Sequence, residues 1–118
     1  MSKNKNTIEE RPWGTYEVLE DRKKYKVKEI VVKPKKRLSL QSHEKRSETW
    51  VIVQGNGKVD LGDLPIDCSP GKVIFIPKKQ QHRIENTGKK NLVFVEVQTG
   101  TYFGEDDITR YEDDYGRE

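Results

Sequence analysis

Alanine is absent from the 118 residues, and cysteine occurs once, at Cys68. Losing the strongest helix former removes the usual filler of helical segments. Val and Ile meanwhile supply 19 residues and aromatics another 10. That selection favours pleated sheet, and the chain reads as an all-β domain. A lone thiol cannot close an intramolecular disulfide, and no apolar run approaches the roughly 20 residues that span a bilayer. Met1 to Glu10 also lacks the apolar stretch of a signal peptide. The expectation is a soluble, cytoplasmic protein with no membrane partner.

Apolar residues make up only 31% of the chain against 36% charged, so one small core is all it can build. The length fits one domain, here residues 11–118 after a frayed segment 1–10. Lys and Arg total 23 against 20 Asp and Glu, a net charge of +3 with the signs interleaved. The basic stretch from Arg22 to Lys36 lacks a series of stacking aromatics, so a nucleic-acid partner is not expected. By charge alone, Glu105 to Glu118 reads as a solvated tail.

Short apolar or alternating runs recur between turn signals. They cover Tyr16 to Leu19, Tyr25 to Val32, Leu38 to His43, Glu48 to Gln54, Lys58 to Leu61, Val73 to Ile76, His82 to Asn86 and Leu92 to Thr99. Nothing between them is long enough for a crossover helix, which leaves a sandwich or a small barrel. Only Asp106 to Tyr115 has room for a helical turn or two, as a strap outside the last strand.

The two histidines fall in telling places. Strand alternation puts Ser39, Gln41 and His43 on one face and Leu38 and Leu40 on the other. Glu48 begins a run in which Trp50 and Ile52 share its face. His82 shares a face with Ile84, while Arg83 and Glu85 point away. If these faces are interior, two imidazoles, a carboxylate and an amide oxygen form an N2O2 set for a divalent transition metal. Glu96 is open to two readings: a half-buried carboxylate beside Phe94 and Leu92, or an outward charge if Val93, Val95 and Val97 form the inner row.

The joint spacing then becomes specific. His43, four residues, Glu48, six residues and Gly55 are followed by Gly71, five residues, Pro77, four residues, His82, three residues and Asn86. This resembles the two motifs of the cupin superfamily, which implies a double-stranded β-helix, or jelly-roll barrel. Gln41 departs from the histidine common at its position, and Lys79 from a glycine common before the second histidine. With Arg11-Pro12-Trp13-Gly14, the stretch Glu96 to Tyr102, Glu105-Asp106-Asp107-Ile108, Arg110 and Tyr115-Gly116-Arg117, the chain resembles type II phosphomannose isomerases over Arg11 to Arg117.

The resemblance implies an aldose–ketose isomerase interconverting mannose 6-phosphate and fructose 6-phosphate through an enediol, within GDP-mannose biosynthesis. It implies one divalent ion (Zn, Mn, Co, Fe, Ni or Mg) on Gln41, His43, Glu48 and His82. Arg46, expected in the turn between His43 and Glu48, is the first candidate for the substrate phosphate, with Lys79, Arg110 and Arg117 beside it. Arg46, Lys45 and Glu96 are the catalytic candidates, Glu96 as the proton shuttle. The Gly-rich nucleotide-binding segment of a guanylyltransferase half is not present. The alternative is a non-catalytic module that binds a sugar phosphate or sugar nucleotide. Leu38 and Leu40, read as exposed, together with the small domain, suggest a homodimer.

Overall fold

The computed structural model describes residues 7–117, so Met1 to Asn6 of the segment expected to fray lie outside the described residues. Eleven strands form in chain order: β1 (Ile8–Arg11), β2 (Gly14–Asp21), β3 (Tyr25–Val32), β4 (Leu40–Ser42), β5 (Arg46–Gln54), β6 (Gly57–Leu61), β7 (Leu64–Cys68), β8 (Val73–Ile76), β9 (His82–Asn86), β10 (Leu92–Gly100) and β11 (Thr109–Glu112). Among the described residues there is no helix, so none is long and apolar enough to cross a membrane. The strands make two antiparallel sheets, β1-β2-β3-β10-β5-β8 and β11-β4-β9-β6-β7. The all-β expectation holds.

Alternation within the long strands explains the core. Ile30 and Val32 of β3, Trp50 and Ile52 of β5, and Leu92 and Phe94 of β10 point inward and meet Val59, Cys68 and Ile84 of the smaller sheet. Each fully buried aliphatic or aromatic side chain contributes about 1.5–3 kcal/mol. The same inward rows change character along their length. In register, Phe94 lies opposite Ile30 and Ile52, Glu96 opposite Lys28 and Trp50, and Gln98 opposite Glu48. One end of the barrel is therefore dry and the other is lined with buried charge.

Three strands lie outside the sequence expectation. β1 pairs with β2 from Ile8 to Arg11, so residues 8–10 are ordered in a sheet rather than frayed. β7 contains Pro65, which argues against a central strand, but β7 is the edge of its sheet, where a missing N–H costs no ladder bond. Asp106 to Tyr115 forms turns and β11 in place of the expected helical turns. β4 would otherwise present an open edge, and β11 closes it with Thr109 opposite Ser42 and Arg110 opposite Gln41.

The C-terminal segment is accordingly a strap, not a solvated tail. Arg37 grips Asp114 with two hydrogen bonds of 2.7 and 2.9 Å, and the Tyr115 hydroxyl donates to the Arg37 carbonyl at 2.9 Å. Arg83, expected to point into solvent, is buried beneath the strap and donates to the Leu38 carbonyl and to Glu112. Leu38 is likewise not exposed but packs against the core.

Candidate metal centre

The polar end of the barrel gathers side chains from both sheets. β4 supplies Gln41, and His43 follows just beyond its end. β5 opens with Arg46 and Glu48, β9 opens with His82, and β10 contributes Glu96. Gln41 and His82 are direct cross-strand partners, which puts their side chains on one face.

Each imidazole is oriented through its Nδ1. His43 Nδ1 lies 2.7 Å from the Asp107 carbonyl and His82 Nδ1 lies 2.9 Å from the Gln80 carbonyl. A carbonyl only accepts, so Nδ1 carries the proton in both rings and Nε2 keeps its lone pair. Burial pushes His43 down to about 4 and lowers His82 as well, so both rings are neutral at pH 7. That is the ligand form of histidine, with the backbone-anchored second nitrogen that metal sites use. The ring centroids are 5.2 Å apart, and His43 Nε2 lies 3.4 Å from Glu48 Oε2.

Glu48 is almost fully enclosed. Its Oε1 accepts from the Trp50 indole at 2.9 Å and its Oε2 from Arg46 Nε at 2.8 Å. Burial alone would raise this carboxyl, but Arg46, both imidazoles and the indole outweigh it and hold it ionised, below the usual range. One donor atom each from His43, Glu48 and His82 falls within 4.8 Å of the others. Donors bound to one ion at about 2.0–2.2 Å lie at most about 4.4 Å apart, so the three side chains would draw together slightly on binding it. Gln41 Nε2 donates to Ser39 Oγ at 3.0 Å, which frees its amide oxygen as a fourth donor. Gln98, opposite Glu48, also leaves Oε1 buried with no hydrogen-bond donor. Two neutral imidazoles, an ionised carboxylate and an amide oxygen suit a divalent transition metal.

Glu96 sits on the inner row with Phe94, the buried one of the two sequence readings. Burial, then the Glu48 charge, pushes its carboxyl well above the ordinary range, against the opposing pull of Lys28 and Arg46. Gln98 Nε2 donates to its Oε2 at 2.5 Å.

Above this cluster opens a cleft, with Arg11, Lys28, Arg46, Arg110 and Arg117 facing Glu96 and Glu105, and Trp13, Tyr16 and Ile30 completing the wall. Arg46 is not in an exposed turn. It opens β5, is 6% exposed, and places Nη2 3.3 Å from His43 Nε2 while its Nε holds Glu48. Gly100, its cross-strand partner, permits this approach, because a Cβ there would meet the Lys45 carbonyl at 2.2 Å. Arg110 lines the cleft with its Nε buried and without a hydrogen-bond partner among the described residues. Arg117 lines it too, but Asp113 takes its Nε and Nη2 at 2.8 and 3.0 Å.

Two candidates fall outside the cleft. Lys45 is exposed, with Nζ 5.2 Å from the centre of the exposed Tyr102 ring. Lys79 is exposed in a turn with φ of 70°, and its backbone N–H donates to the His43 carbonyl at 2.7 Å. The left-handed backbone accounts for the glycine common at this position in cupins. Arg11, Lys28 and Glu105 are cleft residues without a role in the sequence reading. Alternation carried the signal for Lys28, which shares a face with Ile30 and Val32.

The family model described as "Mannose-6-phosphate isomerase C-terminal" matches residues 2–113. The xanthan biosynthesis protein XanB of Xanthomonas campestris pv. campestris is 45% identical over 107 residues, covering 91% of this chain and 23% of its own length. A mannose-1-phosphate guanylyltransferase of Salmonella montevideo is 43% identical over 108 residues, again covering 91% and 23%. The chain thus spans less than a quarter of the length of these relatives. Among solved structures, a Klebsiella pneumoniae protein with a double-stranded β-helix domain superposes with a TM-score of 0.73 at 17% identity, covering 96% of this chain and 90% of that one. The barrel is therefore the double-stranded β-helix that the motifs implied, and by the extent of the match the chain belongs to the mannose-6-phosphate isomerase C-terminal family.

Proposed function

We propose that the chain is a metal-dependent aldose–ketose isomerase that interconverts mannose 6-phosphate and fructose 6-phosphate in the cytoplasm. The carrying observation is that His43, Glu48 and His82 converge beneath a cleft walled by Arg11, Lys28, Arg110 and Arg117. Gln41, His43, Glu48 and His82 would hold a divalent ion, which when bound supplies Lewis acidity at the two enediol oxygens. The protein's own groups do the rest. Glu96 moves the proton between C1 and C2 at Oε1, since Gln98 engages Oε2. Its raised carboxyl suits both halves of that transfer near neutral pH. Arg46, anchored through Nε on Glu48 and with Nη2 against His43, offers Nη1 to the reacting end. Arg110, with Arg11 and Arg117 beside it in the cleft, meets the distal phosphate, where a guanidinium donates in pairs. Trp13, Tyr16 and Ile30 exclude water along the carbon chain.

Incubating the protein with mannose 6-phosphate and each divalent ion in turn should yield fructose 6-phosphate. Glu48→Ala and His82→Ala should each cut turnover by about a hundredfold or more and lower bound metal, because the ion's charge stabilisation is worth several kcal/mol. Full turnover by metal-stripped protein overturns the proposal. Binding of mannose 6-phosphate without turnover under any ion would leave the non-catalytic sugar-phosphate-binding module.

A further inference from the structure

The strap that crosses the cleft is tied to both walls by two acidic side chains. Glu105 pairs with Lys28 of β3 in the larger sheet, and Asp107 reaches the turn after β4 in the smaller one. Asp107 makes three contacts there. Its Oδ1 accepts the Glu44 N–H at 3.0 Å, its Oδ2 accepts the Lys45 N–H at 3.0 Å, and its carbonyl takes the His43 Nδ1 proton at 2.7 Å. The carboxylate therefore fixes the short turn joining His43 to Arg46, and the backbone of the same residue fixes the ring of His43. Two residues on, β11 pairs with β4, placing Arg110 opposite Gln41.

We propose that Asp107 is a positioning residue of the metal centre, so that divalent-ion affinity is set in part by a strap lying outside the barrel. This rests on the reading of His43, Glu48 and His82 as ligands. The carboxylate does not approach the ion. It acts through His43: with both backbone N–H groups held, the turn keeps one conformation and Nε2 stays aimed at Glu48. Without it, the turn gains freedom and the Asp107 carbonyl loses the two bonds that keep it over Nδ1. Removing partners of this kind from metal-bound histidines costs about 10–100-fold in affinity. Arg37, which grips the far end of the same strap at Asp114, has no such line to the ligands.

The test is direct titration of metal-stripped protein with Co²⁺, read by visible absorption and calorimetry, with folding checked by circular dichroism. Asp107→Ala should bind about 10–100-fold more weakly than the unmodified chain. Asp107→Asn, whose amide keeps one acceptor oxygen, should fall between the two and supplies the measurement if the alanine variant does not fold. Arg37→Ala should lose thermal stability yet keep its Co²⁺ affinity within about twofold. Unchanged affinity in both Asp107 variants overturns the proposal while leaving the ligand set intact. An equal loss in Arg37→Ala overturns it too, since the effect would then be general loosening of the strap. No Co²⁺ binding by the unmodified chain refutes the ligand set and the proposal together.

Discussion

Arg46 shows how one side chain ties stability to chemistry. It is buried, its Nε is 2.8 Å from Glu48, and Nη2 reaches His43. Breaking a buried pair leaves an uncompensated charge, which costs about 3–5 kcal/mol. Arg46→Ala should therefore destabilise the metal-free protein by about that amount in denaturant unfolding. The orphaned carboxylate is also a proposed metal ligand, so a saturating divalent ion should recover a large share of the loss. A destabilisation of equal size with and without metal would show that Glu48 does not face the ion. The residues themselves were legible in sequence to different degrees. Spacing alone marked His43, Glu48 and His82, because cupin motifs fix them along the chain. The burial of Arg46 was not legible, since a short turn and the first residue of a strand look alike until Gly100 is seen to admit the close approach. Lys79 is the reverse case: its departure from glycine was visible, and only the left-handed backbone explains what that glycine usually does.

Among the elements, the strap departs furthest from what composition suggests. Charge predicts a solvated tail, yet Asp113 is buried and holds the Arg117 backbone N–H at 2.7 Å and its guanidinium at 2.8 Å. Those hydrogen bonds keep the Asp113 carboxyl down at about 2, below its ordinary value near 4. A depressed carboxylate adds stability above its unfolded pKa, and that contribution disappears as pH falls through the folded one. The strap should accordingly loosen between about pH 4 and pH 2. The protection factors of the β11 amides, taken relative to intrinsic exchange at each pH, should fall across that window in the unmodified chain. In Asp113→Asn they should already be low at pH 5 and change little below; identical profiles would remove Asp113 from the latch. Strand pattern could not foresee β11. Thr109 to Glu112 contains no buried apolar row, and the strand exists because β4 offers an open edge, a property of the assembled sheet. β7 was hidden differently, by Pro65, whose penalty vanishes at an edge.

For the whole molecule, the larger sheet raises the question of a partner. β10 is apolar on both faces, which is why the inner row was ambiguous in sequence. With Leu92, Phe94 and Glu96 inside, Val93, Val95 and Val97 lie on the outer face. There they adjoin Val31, Val51 and Val27 in register, followed by Val73 and Phe75 on the edge strand β8, each 58% exposed. Glu29 faces Val95 across the same row, so charge interrupts this face, but soluble monomers rarely leave large apolar patches open to water. Leu38, one of the residues that first suggested self-association, is instead packed against the core and offers no surface for it. We propose a homodimer with two such faces packed across a two-fold axis, an arrangement in which each patch is its own complement. Light scattering should give twice the 13.8 kDa of one chain. Phe75→Glu places a charge on the exposed margin of this face and should yield a folded monomer. A single-chain mass for the unmodified protein at tens of micromolar, or a dimer indifferent to Phe75→Glu, would show that this face stays open or that another surface pairs.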